Sequence, residues 1–170
     1  MTSALDVARF FLASNPAGSI TNLKLQNLCA YAQAVACSYL GEKIFQEDIE
    51  MWELGPVIPE IYKAYKAYYL DPIPTPRLDL SQFSMTERLV LAGVNTCLAE
   101  MFDAWDLCLK SHEDFPGVRG SNPRLTFEEL QQAAHDSDIV RQLKQADEPI
   151  ADSAYMKTLL AKDALHALAN

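Results

Sequence analysis

The chain has 170 residues, a formal net charge of -9, 49% hydrophobic residues and 22% charged ones. That length suits one domain able to bury roughly 70% of its unfolded chain's surface, and the composition excludes a disordered chain and any need for a metal or disulfide staple. The acidic excess repels phosphate backbones and anionic membranes at long range, which turns attention toward a basic protein partner, although charge of this size also serves solubility alone.

The first helix should start at Ser3, whose hydroxyl can cap free backbone amides, with Asp6 favouring the positive helix end. Its apolar face is Leu5, Ala8, Phe11 and Leu12, and Asn15-Pro16-Ala17-Gly18 ends it. Thr21 caps a second helix in which Leu25, Leu28, Cys29, Ala32, Ala36, Tyr39 and Leu40 form one buried stripe until Gly41 stops it. This is the expected central helix. From Ile44 to Leu54 the period changes, and two short extended segments are expected, giving a hairpin-like element around residues 44-54.

Pro56 and Pro59 bracket a rigid turn, and Pro59 suits the first position of a helix running to about Leu70. Tyr62, Tyr65 and Tyr69 fall on one side of that helix, where core packing is the first expectation. The alternate prolines of Asp71-Pro72-Ile73-Pro74-Thr75-Pro76 predict a stiff extended connector between two helical halves. Ser84 with Glu87 is a capping box opening a helix through about Phe102, with Leu89, Ala92, Thr96 and Ala99 facing inward. A shorter helix follows from Asp103, and residues 111-124 read as loop, with Pro116-Gly117 and Asn122-Pro123. Thr126 with Glu129 forms another capping box. Asp136-Ser137-Asp138 breaks that helix, Pro149 separates a second, and Asp152 or Ser153 caps a final Ala- and Leu-rich helix.

The four cysteines, Cys29, Cys37, Cys97 and Cys108, form no CxxC pair and have no histidine at zinc-finger spacing, so no metal site is expected. Reduced cysteine among apolar neighbours points to the cytoplasm. The start of the sequence lacks a basic stretch ahead of an apolar one, and no window approaches the ~20 apolar residues of a membrane span. The three histidines, His112, His135 and His166, lie in different segments. Only Ser111-His112-Glu113-Asp114 could supply an acid-base pair or part of a metal site, and such clusters are common in loops. GxSxG, HExxH, Walker A and GxGxxG are absent, and Gly55-Pro56 is unsuited to cradling phosphate because proline lacks a donor. An enzyme is not expected. A helix-turn-helix reading fails on charge, since Lys24 is the sole basic residue of residues 22-40.

One ordered set of residues is more specific. Thr21-Asn22-Leu23-Lys24-Leu25-Gln26, then Tyr31-Ala32-Gln33, Trp52, Gly55-Pro56-Val57-Ile58-Pro59 and Tyr62 resemble the Panacea or SocA-like domain family. The second half resembles it more loosely, through Asp106-Leu107, Ser111-His112, Pro116 and the cap at Thr126. Asn27 and Gly117 depart from the pattern, standing where the family usually carries lysine and tryptophan. The expected organisation is a single domain over 1-170, with a Panacea-like core over 3-134 and a C-terminal helical extension over 135-170. The fold class is mainly α, compact, with the short hairpin.

The resemblance implies a bacterial or phage antitoxin that neutralises a toxin by protein contact, with some members acting as proteolytic adaptors, and it implies no cofactor. The expected partner is a cognate protein toxin of basic character, with a protease or chaperone added for an adaptor. The alternative is a non-enzymatic regulatory or host-directed interaction protein on the same scaffold. Tyr and Trp suit interface hot spots. The candidate partner-binding residues are Asn22, Lys24, Gln26, Trp52, Glu53, Tyr62 and His112, while Gly55, Pro56 and Pro59 are assigned to the structural corner.

Overall fold

The computed structural model describes residues 1-117, 120-121 and 123-145. Asn122, the break at Pro149, the cap at Asp152 or Ser153, the final helix and His166 lie outside the described residues. The chain is mainly α, with seven helices and one two-stranded antiparallel hairpin among the described residues. Helix α1 (Ala4–Ser14) opens as expected at Ser3. The Ser3 hydroxyl accepts from the Asp6 N–H and the Asp6 carboxylate accepts from the Ser3 N–H, at 3.2 and 3.0 Å.

Helix α2 (Asn22–Tyr39) is capped by Thr21 and ends just before Gly41, whose φ of +74° the left-handed region reserves for glycine. The single stripe expected for it proves too narrow: every residue from Lys24 to Cys37 is buried. The reason is enclosure, since α1, α4 (Met85–Val94), α5 (Ala104–Asp114), α6 (Phe127–Ala134) and the hairpin all pack against it. Ala30, Ala32, Ala34 and Ala36 keep its girth small enough for that crowding.

Buried polar groups on α2 then need partners inside the protein. Gln33 finds them in the following segment: its Nε2 donates to the Phe45 carbonyl at 2.6 Å and its Oε1 accepts from the Ile44 N–H at 2.8 Å. Residues 44-45 therefore pair with a side chain and not with a strand. The hairpin forms one step later than expected, with β1 (Glu50–Trp52) against β2 (Gly55–Val57) and Met51 opposite Pro56. Met51 turns its N–H outward to the Pro123 carbonyl at 3.0 Å, and Leu125 donates to the Ile49 carbonyl at 2.8 Å, so the chain before α6 flanks β1 on its other side. Pro56 lies on the edge strand, where its missing donor breaks no ladder bond.

Pro59 opens α3 (Pro59–Tyr65), which is shorter than expected because a 3-10 turn (Lys66–Tyr68) replaces its last stretch. Tyr69 then takes a φ of 55° and turns outward, so Tyr62, Tyr65 and Tyr69 do not share one packed side. Tyr65 is half-buried against the core, whereas Tyr62 and Tyr69 are exposed. The proline-rich connector is extended, and its Ile73 N–H donates to the Ile20 carbonyl at 2.8 Å.

The Ser84–Glu87 capping box opens α4 as expected. A π-helical turn (Asn95–Ala99) continues it, and the extra residue in that turn rotates Thr96 to the surface while Leu98 and Ala99 stay buried. Helix α5 reaches Asp114, so Ser111, His112, Glu113 and Asp114 belong to a helix and not to the expected loop. Thr126 and Glu129 cap α6, and after the break at residues 136-137 helix α7 (Asp138–Gln145) packs Ile139, Val140 and Leu143 into the core. No helix among the described residues is long and apolar enough to cross a membrane.

Candidate functional site

The polar residues of the Leu23-Lys24-Leu25-Gln26 run point inward. Asn22, Lys24 and Gln26 are buried, and their polar groups are used within the chain. Gln26 Nε2 donates to Asn22 Oδ1 at 2.9 Å, while Gln26 Oε1 accepts from the Ile58 N–H at 2.8 Å. This second bond pins α2 to the residue between β2 and Pro59, fixing the corner from which α3 departs. The Lys24 ammonium donates to the Ala99 carbonyl at 2.8 Å, where the π turn ends and carbonyls need donors. Burial lowers the Lys24 pKa below the usual lysine value, and the nearby Asp103 charge partly opposes that shift.

Gly55 is required by two independent constraints. Its φ is +119°, and a Cβ there would stand 2.8 Å from Ser111 Oγ on α5 and 3.6 Å from Asn27 Oδ1 on α2. The hairpin thus docks closely on both helices. Asn27, buried and one residue beyond the motif, donates to the Leu23 carbonyl, but its Oδ1 accepts from no donor among the described residues.

The hairpin turn, Glu53-Leu54, is held by one row of α5. Cys108 Sγ lies 3.1 Å from the Leu54 carbonyl, and His112 Nε2 lies 2.9 Å from the Glu53 carbonyl. His112 Nδ1 faces the Cys108 carbonyl at 2.7 Å. A neutral ring donates to one of these two carbonyls and a doubly protonated ring to both. At the end of β1, Trp52 meets Tyr62 of α3 edge-on with ring centroids 5.0 Å apart, and its Nε1 donates to Glu50 Oε2 at 2.8 Å. Trp52, Glu53, Tyr62 and His112 thus all lie on or against the hairpin. Asn22, Lys24 and Gln26 lie beneath the fold's surface and not on it.

This chemistry is suited to contact more than to reaction. Both His112 nitrogens face main-chain carbonyls, which leaves neither poised over a substrate. Burial pushes the thiols of Cys29, Cys37 and Cys108 up in pKa, so they are held protonated. A polar cleft of about 430 Å³ between α5 and α6–α7 is lined by Lys110, Glu113, Asp114, Gln132, Asp136 and Asp138. No group of three metal-binding side chains occurs among the described residues. Beside the cleft Asp114 accepts from the Tyr31 hydroxyl at 2.7 Å and pairs with Lys110 at 2.8 Å. Burial, then the Asp114 contact, raises the Tyr31 pKa.

The segment that builds this surface, from α2 through the hairpin and α3 to the end of α5, coincides with a family match: the model for the antitoxin SocA-like, Panacea domain covers residues 25–116. The chain belongs to that family. No curated protein and no solved structure matches it. The Panacea match leaves α1, Asn22 and Lys24 ahead of it and α6 and α7 beyond it. A family of this kind suggests a non-catalytic role and a protein partner.

Sequence reasoning did not single out Leu54, Trp105 and Leu109, which are exposed beside the same hairpin turn. A signal was available in α5, which carries apolar residues on two faces. Leu107 and Ser111 are buried, and Trp105 and Leu109, four residues apart, point the other way.

Proposed function

We propose that this Panacea-domain chain is an antitoxin that neutralises a cognate protein toxin by direct binding, without catalysis, in the cytoplasm. The observation that carries the reading is the family match, which spans the elements that present the hairpin surface. Trp52, Glu53, Tyr62 and His112 face the toxin in this reading. Gln26, steadied by Asn22, acts from within by fixing the angle at which the hairpin and α3 leave α2, while Lys24 ties α2 to the end of the π turn. The acidic balance of -9 supports a basic partner, and four free cysteines support a reducing compartment.

The test is growth rescue, in which the neighbouring reading frame is expressed from a tight promoter with and without this chain. Relief of toxicity with co-purification of the two proteins is the expected result. Toxicity that persists, with no complex, contradicts the pairing. Relief accompanied by disappearance of the toxin, dependent on a host protease, would assign the chain a proteolytic adaptor's role.

A further inference from the structure

The outward face of α5 is unusual for a solvent-facing helix. Trp105 is 57% exposed and Leu109 is 52% exposed, one helical turn apart, and Leu54 at the tip of the hairpin is 53% exposed. Isolated exposed leucines carry no message, but large apolar side chains gathered at one place mark contact surfaces. The gathering follows from the helix geometry and the fastening of the turn. Residues 105, 108, 109 and 112 share one side of α5, and the hairpin turn is fastened to 108 and 112 through the Leu54 and Glu53 carbonyls.

About half of each of these three residues stays open to solvent. Leu107, Cys108 and Ser111 are the buried residues of α5, and His112 and Asp114 add bonds to Glu53 and Tyr31. The fastening of the hairpin turn holds the patch in one shape before a partner arrives, which reduces the ordering required on binding. Around the patch stand exposed carboxylates: Glu53 on the turn, Asp106 at the start of α5 and Glu113 near its end. Lys110, the basic residue of α5, is already paired with Asp114. An apolar centre with an acidic rim is complementary to an apolar anchor surrounded by Lys and Arg. It opposes a second copy of this acidic chain and an anionic lipid surface.

We propose that Trp105, Leu109 and Leu54 form the energetic centre of the toxin-docking surface, and that the occupant is a toxin presenting an apolar anchor ringed by basic residues. This rests on the antitoxin reading and enlarges its surface from the hairpin onto α5. Trp52, Tyr62 and His112 then lie toward its edge.

The experiment uses the full chain and the protein encoded by the neighbouring frame. Leu54→Glu, Trp105→Glu and Leu109→Glu are made singly and together, with Leu70→Ser on the exposed end beyond α3 as the control. Dissociation constants are measured by titration calorimetry, and folding by circular dichroism and thermal melting. The expected result is a loss of at least about 30-fold in affinity for the triple variant. Trp105→Glu should have the largest single effect, with melting unchanged and Leu70→Ser binding as the parent does. Affinity of the parent should also fall between 50 and 500 mM salt as rim charges are screened.

A triple variant that binds and rescues like the parent overturns the patch while the antitoxin reading stands. Failure of the parent to bind or rescue overturns both. Affinity insensitive to salt removes the basic rim. Sedimentation of this chain alone, showing a dimer that the triple variant loses, would assign the face to a second copy instead.

Discussion

Gln26 offers the most demanding test of how the family motif shapes the surface. Its side chain bonds to both Asn22 and the Ile58 N–H, and Ile58 is fully buried. Gln26→Met keeps the volume and removes both bonds. The stranded Ile58 donor alone should cost about 1–3 kcal/mol, and the half-lost Asn22 acceptor adds to that. Gln26→Ala leaves a cavity as well, bringing the total to roughly 3–5 kcal/mol. In a domain of this size each kcal/mol lowers the melting temperature by about 2–4 °C. Urea unfolding monitored by circular dichroism gives the free energies, and hydrogen exchange at the Ile58 amide reports the local bond. That amide should exchange much faster in Gln26→Met. A Gln26→Met protein within about 0.5 kcal/mol of the parent, with Ile58 still protected, would refute the claim that this residue pins the corner.

The remaining predictions concern residues around the same junction. Gly55→Ala must place a methyl at φ +119° and 2.8 Å from Ser111 Oγ. It should destabilise by about 2–4 kcal/mol, and adding Ser111→Ala should recover only the steric part, as urea unfolding can show. Lys24 has a folded pKa below its unfolded value of 10.5 because of burial. The folded state therefore binds fewer protons as pH approaches 10.5 from below, and stability should gain with rising pH in that window. Lys24→Met should lose this alkaline gain in a pH series of unfolding free energies. Asn27→Leu removes a buried oxygen that accepts from no donor among the described residues, along with one bond to Leu23, so stability should hold within about 1 kcal/mol or rise.

The helix starts were legible because capping is local chemistry: Ser3, Thr21, Ser84, Asp103 and Thr126 each cap the helix they announce. Pro59 and Gly41 were readable for the same reason. What sequence could not reveal depends on contacts between distant residues. The bond from Lys24 to Ala99 spans 75 positions and that from Gln26 to Ile58 spans 32, so the motif's polar residues looked available for a partner. Ile44 and Phe45 have strand-like side chains, yet Gln33 takes up their backbone groups and the hairpin shifts to residues 50-57. The π turn at Asn95–Ala99 has no simple pattern, and it reverses the expected orientation of Thr96. Of the candidate surface, Trp52, Glu53, Tyr62 and His112 were found by motif position. Trp105 and Leu109 were missed because an apolar pair on a helix reads as core until the opposite face is seen to be buried.

Neutralisation of a toxin by direct binding is the role proposed for this Panacea-domain protein. Its most direct test is co-expression with the neighbouring reading frame, scoring growth together with recovery of a stoichiometric complex. The frame should be toxic alone, this chain should restore growth, and the two proteins should elute together. A toxic neighbour that this chain neither relieves nor binds would contradict it.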